Sequence, residues 1–306
     1  MSFFSTSIRA IPFFALTLPS FGQSNAIPVE SSAAVSALNG KLGVSYGDMD
    51  GGDGHNLAGS LTFPVAHNWG AQVDGLYTQV EKVDFGGGAA HVFWRNPDRA
   101  LIGLTASAIT SDFVQSQDFG VEAEYYWKIV TFGVHSGVGF IKYDTSAPFI
   151  ETDRSDGFVT ASATVYPVEN LSVRAHASVR FEQNSYGAEV EFQIPKRNLA
   201  ITADLVRGDS GYDHALFGLR YYFGGKKTLR NRHRHDDPRN LAGDTLYAVG
   251  NYGAQYNAKA REYLQALTAA NPGLAASSPD FSDYGYSDYI VGFQFGTGSV
   301  TRLQPW

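Results

Sequence analysis

The chain has 306 residues, a formal net charge of -7 at pH 7 and no cysteine. The acidic balance argues against a nucleic acid as partner, and the lack of cysteine excludes a disulfide scaffold. No later stretch of about twenty apolar residues follows the N-terminal region, which argues against an ordinary helical membrane protein. Many glycines, tyrosines and phenylalanines suit a β-barrel, although composition alone leaves a secreted β-sandwich open.

The N-terminus reads as a secretory signal. Arg9 supplies positive charge, residues 11–18 are apolar, and Ser24-Asn25-Ala26 forms a small-x-small cleavage site, with cleavage after Gly22 as an alternative. The apolar run is too short to span a bilayer as a helix. We predict a signal peptide over 1–26 and a lead-in over 27–39.

From Lys41 to Phe223 the hydrophobic pattern changes to period two. In Phe119 to Trp127, every second residue is apolar or aromatic, and the residues between them include Glu122 and Glu124. Segments of about ten alternating residues separated by turns are typical of a barrel in the outer membrane. The predicted strands are 40–47, 57–65, 70–80, 85–95, 100–109, 119–127, 129–141, 158–166, 170–181, 185–194, 198–206 and 212–223.

The fold class predicted is therefore all-β, an antiparallel up-and-down transmembrane β-barrel of about 12 strands over 40–224. Connections near residues 66–68, 96–99, 128, 167–170 and 195–197 are short, whereas those over 47–56, 110–118, 144–157 and 207–211 are longer on average. Short turns face the periplasm in this class, which places both barrel termini there. A girdle of aromatic residues is predicted at the short-turn end: Phe63, Trp69, Trp94, Trp127, Tyr166, Phe192 and Phe223.

The last strand ends in a Gly, two spacers, an aromatic, one spacer and a final aromatic, met by Gly218, Tyr221 and Phe223. With this assembly signal, residues 41–223 resemble bacterial outer-membrane β-barrel (porin-like) proteins. The chain departs from the family at Leu216, where a polar residue is usual, and in continuing beyond Phe223. The resemblance implies assembly by the barrel-insertion machinery, with outer-membrane lipid and lipopolysaccharide as surroundings.

Residues 225–306 are predicted to form a basic, partly helical periplasmic extension. Its basic cluster, expected to lie at phospholipid headgroups, comprises Lys226, Lys227, Arg230, Arg232, His233, Arg234, His235 and Arg239. Helical spacing follows over residues 256–267, and Asn271-Pro272-Gly273 ends that helix. The tyrosine-rich stretch 283–295 alternates weakly, so fourteen strands is the alternative count.

Alternation also assigns the ionisable residues that face the lumen. Five are basic, six are acidic and four are histidines: Lys41, Arg95, Arg174, Arg180 and Arg220; Asp74, Glu122, Glu124, Glu189, Glu191 and Asp204; His91, His135, His176 and His214. This near balance suits either a lumen braced by salt bridges or a narrow conducting pore. Two pairs are expected across hairpins, His176 with Glu191 and Glu122 with His135. Asp118 is assigned to an acidic loop.

We interpret the chain as a porin-like passive channel, with a non-conducting structural barrel as the alternative. A lipid-acting hydrolase is a weaker alternative, because His176-Ala177-Ser178 matches the His-x-Ser of outer-membrane phospholipases but both side chains should face the lumen. No catalytic residue and no cofactor are predicted. No metal site is predicted either, because the arginines around His233 and His235 repel a cation. The sequence specifies neither the solute nor the oligomeric state.

Overall fold

A computed structural model describes residues 33–144 and 151–270, together with 295–296 and 299–300. Twelve antiparallel strands form a closed barrel in which each strand pairs with its neighbours in sequence. The strands are β1 Asn39–Met49, β2 Gly52–Ala66, β3 Trp69–Val80, β4 Val83–Asn96, β5 Ala100–Thr110, β6 Val114–Trp127, β7 Val130–Tyr143, β8 Asp153–Val168, β9 Leu171–Arg180, β10 Gln183–Gln193, β11 Leu199–Gly208 and β12 Asp213–Tyr222.

The barrel closes between its first and last strands. Lys41 is opposite Tyr222 and Met49 is opposite His214, with an unbroken antiparallel register between them. The predicted number of twelve strands is therefore confirmed, and the alternative of fourteen is wrong. The short strands β13 Phe295–Gly296 and β14 Ser299–Val300 pair with each other as a separate sheet.

The outer surface of the barrel is apolar. Most outward positions in the middle of the strands carry apolar side chains, many of them exposed, as with Leu104 at 66% and Phe217 at 64% relative exposure. Closure pairs the backbone groups that an open sheet would leave unsatisfied in hydrocarbon. Outward apolar side chains on a closed sheet are the arrangement of a transmembrane β-barrel, as the alternation predicted.

The two ends of the barrel differ less than the sequence predicted. Asn39 and Tyr222 lie at one end, hereafter the terminal end, and the opposite end is the loop end. Most loop-end connections are also tight, because the strands extend further than predicted. Asp50 and Gly51, for example, make a two-residue turn with φ of 56° and 82°. Only the connection over 144–152 is long.

The aromatic girdle is largely as predicted. Phe63, Trp69, Trp127, Phe192 and Phe223 point outward and are each at least 38% exposed. Trp94 shares the outward face of β4 with the exposed Val92.

Tyr166 is the exception in this girdle, because it is buried inside the barrel at 2% exposure. Along β8 the outward face carries Val159 and Val165, so the next residue, Tyr166, points inward with Phe158 and Thr160. The prediction for Tyr166 is therefore wrong.

The chain beyond Phe223 turns back into the barrel. A short helix, α1 (Leu229–His235), lies at the terminal end, and α2 (Ala242–Ala270) runs through the lumen. The prediction of an extension away from the barrel is wrong for this part of the chain, here named the plug (residues 226–260). The predicted helix exists but begins earlier, at Ala242. The predicted signal peptide lies outside the described residues.

Candidate functional site in the barrel lumen

The plug is fixed at the terminal end by its basic residues. Arg232 donates to the carbonyl oxygens of Gly225 and Phe223 and is almost fully buried. Arg234 donates to the carbonyl oxygens of Lys128 and Val130 at 3.0 and 2.8 Å. Both residues were predicted to lie at lipid headgroups. They instead donate hydrogen bonds to backbone carbonyl oxygens in and beside turns, where a carbonyl group has no partner within a strand.

The segment between α1 and α2 is bound by side chains of the barrel wall. The Pro238 carbonyl oxygen accepts hydrogen bonds from Lys41 Nζ at 2.8 Å and Gln72 Nε2 at 3.2 Å. The Leu241 N–H donates to Asp74 Oδ2 at 3.1 Å. The backbone of the plug is thus bound by polar side chains of the wall.

One carboxylate joins three strands to α2. Asp118 Oδ2 accepts from Arg180 Nη1 at 2.6 Å, from Thr245 Oγ1 at 2.6 Å and from Ser107 Oγ at 3.3 Å. Arg180 also lies over the Phe158 ring at 4.0 Å. Assignment of Asp118 to a loop is therefore wrong, because β6 begins at Val114 and its alternation turns Asp118 inward.

Near the loop end the lumen is apolar. Leu246, Val249 and Tyr252 of α2 pack against side chains from the surrounding strands. We name this cluster the loop-end collar. Its wall residues are Met49, Leu76, Val80, Phe85, Ala89, Ile109, Val114, Ile141, Tyr143, Phe181 and Leu216. Burying one large side chain of this kind contributes about 1.5–3 kcal/mol.

All fifteen residues predicted to line the lumen are on inward faces. Those fully buried are Asp74, His91, Arg95, Glu122, His135, Arg180, Glu191 and His214. Those of intermediate burial are Lys41, Glu124, Arg174, His176, Glu189, Asp204 and Arg220.

Several of these lumen residues form ion pairs. His91 bridges Asp74 at 2.9 Å and Glu122 at 3.0 Å. Arg220 pairs with Glu191 and lies 3.6 Å from Glu189.

The plug takes part in these networks. His233 Nε2 is 3.5 Å from Glu191, and Arg239 is 3.9 Å from Glu189 and 2.7 Å from Asp244. Tyr247 donates to Asp204 at 3.0 Å. The lumen charges are therefore braced across strands and across the boundary between wall and plug.

The two predicted histidine–carboxylate pairs have different outcomes. Glu122 is opposite His135 in the register, as predicted, although the His135 ring bonds Thr105. His176 is opposite Gly187 and not Glu191, because the hairpin turn is only two residues long. That prediction of a pair is wrong.

The His-x-Ser pattern likewise brings no base and nucleophile together. His176 Nδ1 accepts from Arg174 at 2.7 Å, and Ser178 bonds Thr160 at 2.8 Å. Both side chains face the lumen and have separate partners. Among the described residues, no group of three or more histidines or acids is placed to hold a metal ion.

A polar cavity of about 210 Å³ remains between the plug and one side of the wall. Lys41, Arg174, Glu189 and Arg220 line it from the wall, and Tyr247 lines it from α2. The cavity ends near Leu76 and Leu216, which belong to the loop-end collar. A polar compartment and an apolar seal thus follow one another along the barrel axis.

The predicted assembly signal lies on the closing strand. Tyr221 and Phe223 point outward, each about half exposed, with ring centroids 5.1 Å apart. Gly218 is opposite Ser45, where a Cβ atom would meet the Val44 carbonyl oxygen at 2.5 Å. The structure shows their positions at the β1–β12 closure.

No protein-family model matches this chain, and no curated protein matches it in sequence. Solved structures are similar in fold. They include the KdgM porin in complex with disordered oligogalacturonate, at 9% identity and a TM-score of 0.45, covering 60% of this chain and 99% of the porin. The NanC porin has 8% identity and a TM-score of 0.47, covering 59% and 98%. Omp33 of Acinetobacter baumannii has 12% identity and a TM-score of 0.39, covering 61% and 98%.

The similarity between this chain and these solved structures is one of fold. The architecture is an outer-membrane type β-barrel, and the resemblance to that class is confirmed at this level. Among the described helices, none is long and apolar enough to cross a membrane.

Proposed function

We propose that this protein is a porin-like outer-membrane channel held in a low-conducting state by its own plug. The observation that carries the proposal is the passage of residues 226–260 through the lumen, with the loop-end collar closed around α2. An apolar constriction resists conduction because water tends not to occupy it, so an ion would have to lose its hydration to pass. The polar cavity on the terminal-end side of the collar supplies a hydrated part of the conduction path.

The polar cavity favours a channel over a purely structural barrel. A lumen packed for stability alone would fill the space beside Arg174 and Arg220, whereas here it remains open over about 210 Å³. Basic and acidic groups line it together, which suits small polar solutes or ions of either sign. The structural barrel remains the second candidate, supported by the ion pairs between wall and plug.

The orientation is also part of the proposal. The long connection over 144–152 lies at the loop end, and the first and last strand ends, Asn39 and Tyr222, lie at the terminal end. Both features support a loop end at the cell surface and a terminal end in the periplasm. Outer-membrane lipid and lipopolysaccharide would then contact the apolar belt, and the insertion machinery would recognise Gly218, Tyr221 and Phe223.

Single-channel conductance of the full-length protein in planar bilayers tests the gating. Leu246→Ala with Val249→Ala removes two fully buried collar side chains, and each truncation of this kind costs about 1–5 kcal/mol. We expect conductance to rise well above that of wild type. The control is Glu262→Ala on the exposed end of α2, which should conduct like wild type.

A reversible cross-link completes the test. The collar variant also receives Ser107→Cys and Thr245→Cys, which should lock α2 to β5 when oxidised because the two hydroxyl oxygens are 2.7 Å apart. We expect low conductance in the oxidised form and high conductance after reduction. A collar variant that conducts no better than wild type in either state would contradict the proposal and favour the structural barrel.

A further inference from the structure

The plug traverses the full length of the barrel. Arg230 pairs with Glu169 at the terminal end, and Leu241 contacts Asp74 in the middle of β3. Tyr252 donates to the Glu151 carbonyl oxygen at the loop end. The chain therefore crosses the barrel once more after its twelve strands.

The helix does not stop at the loop end. Tyr256 stacks on Tyr143 at 5.8 Å, and Ala260 is the last buried residue described in α2. From Tyr252, α2 continues for eighteen residues to Ala270, or about 27 Å at the rise of an α-helix. Glu262, like Ala270, is exposed.

An axial passage of this kind has a topological consequence. Strand ends Asn39 and Tyr222 lie at the terminal end, whereas Ala270 follows the loop-end contacts of Asn251 and Tyr252. A chain that enters one mouth of a closed barrel and leaves by the other has been carried across the membrane without crossing hydrocarbon.

We infer that the barrel presents the C-terminal end of α2 on the side of the membrane opposite to its strand termini. With the orientation proposed above, α2 from Glu262 to Ala270 is displayed at the cell surface. The protein then has a second function beyond conduction, as an exporter and anchor of a surface segment.

Three single-cysteine variants of the full-length chain test this inference, and the native lack of cysteine makes the labelling unambiguous. Ala270→Cys reports on the end of α2. Lys82→Cys reports on a loop-end turn, and Lys226→Cys reports on the terminal end; all three positions are exposed. Intact cells are treated with a maleimide polymer too large to pass an outer-membrane channel, before and after permeabilisation of the outer membrane.

We expect Ala270→Cys and Lys82→Cys to be labelled in intact cells, and Lys226→Cys only after permeabilisation. If Ala270→Cys, like Lys226→Cys, is labelled only after permeabilisation, the inference is overturned, because the end of α2 would then lie on the periplasmic side. If Lys226→Cys alone is labelled in intact cells, the barrel is inserted the other way and surface display is wrong. Conductance plays no part in this readout, so failure of the gating proposal is distinguished from failure of this one.

Discussion

Replacement of Arg180 by alanine should destabilise the folded protein strongly. Its guanidinium is 2.6 Å from Asp118 Oδ2, and the two side chains are 5% and 2% exposed. Without Arg180 the buried carboxylate keeps only the hydroxyl donors of Ser107 and Thr245. Removing one partner of a buried ion pair costs about 3–5 kcal/mol, because the remaining charge lacks both water and its counter-ion.

The ion pair of Arg154 with the exposed Glu182 provides the comparison. These side chains are 3.0 Å apart, but that of Glu182 is 75% exposed. Glu182→Gln should therefore cost no more than about 1 kcal/mol. Glutamine also has the shape of glutamate, so the turn conformation with φ of 60° is preserved.

Urea unfolding of the detergent-folded protein, followed by tryptophan fluorescence and by heat-modifiable mobility, measures both effects. The double variant Arg180→Ala with Asp118→Ala should be less destabilised than the sum of the single changes, since no unpaired charge remains. A cost for Arg180→Ala below about 1 kcal/mol, equal to that of Glu182→Gln, would refute the braced lumen.

Further predictions concern the wall. Ala177→Arg should hinder insertion, because a cation on the lipid face near the midplane costs about 2–4 kcal/mol, whereas the inward Ser178→Arg should be better tolerated; equal folded yields would contradict the face assignment. Gly47→Val should lower the yield of closed barrel, because a Cβ there would lie 1.9 Å from the Ala215 carbonyl oxygen, while Gly75→Val, with nothing within 4 Å, should fold normally. Phe223→Ala should lower assembly in cells, measured as heat-modifiable protein in the outer membrane; an unchanged amount would exclude Phe223 from the assembly signal.

The barrel was predictable because its signal is local. In a strand with one face in lipid, successive side chains point alternately outward and inward. This parity predicts from the sequence that Glu122 and Glu124 face the lumen. The same parity, continued upstream, would have placed Asp118 in the lumen. It was missed because the strand was predicted to begin at Phe119, five residues after its observed start at Val114. Tyr166 has the inward parity of Phe158 and Thr160, and it was assigned to the girdle from its nearness to the short turn and not from its face.

The plug was not predicted because its contacts are between distant parts of the chain. Arginines such as Arg232 and Arg234 have the same appearance in sequence whether they face water, lipid headgroups or the backbone carbonyls of turns. Leu246 and Val249 do have helical spacing with Tyr252, and this was a detectable sign of an apolar face beginning well before Tyr256. The pattern does not show which surface covers that face.

Disulfide trapping tests most directly whether the plug occupies the lumen. Ser107→Cys with Thr245→Cys should cross-link on mild oxidation of the otherwise unmodified full-length protein, since the native side-chain oxygens are 2.7 Å apart. The loop that this bond closes should give a faster-migrating band on denaturing, non-reducing gels. Ala106→Cys with Thr245→Cys, one residue along β5 and on its outer face, should not cross-link. Failure of the first pair to form a disulfide, or equal cross-linking of both pairs, would contradict a lumen filled by the chain's own C-terminal segment.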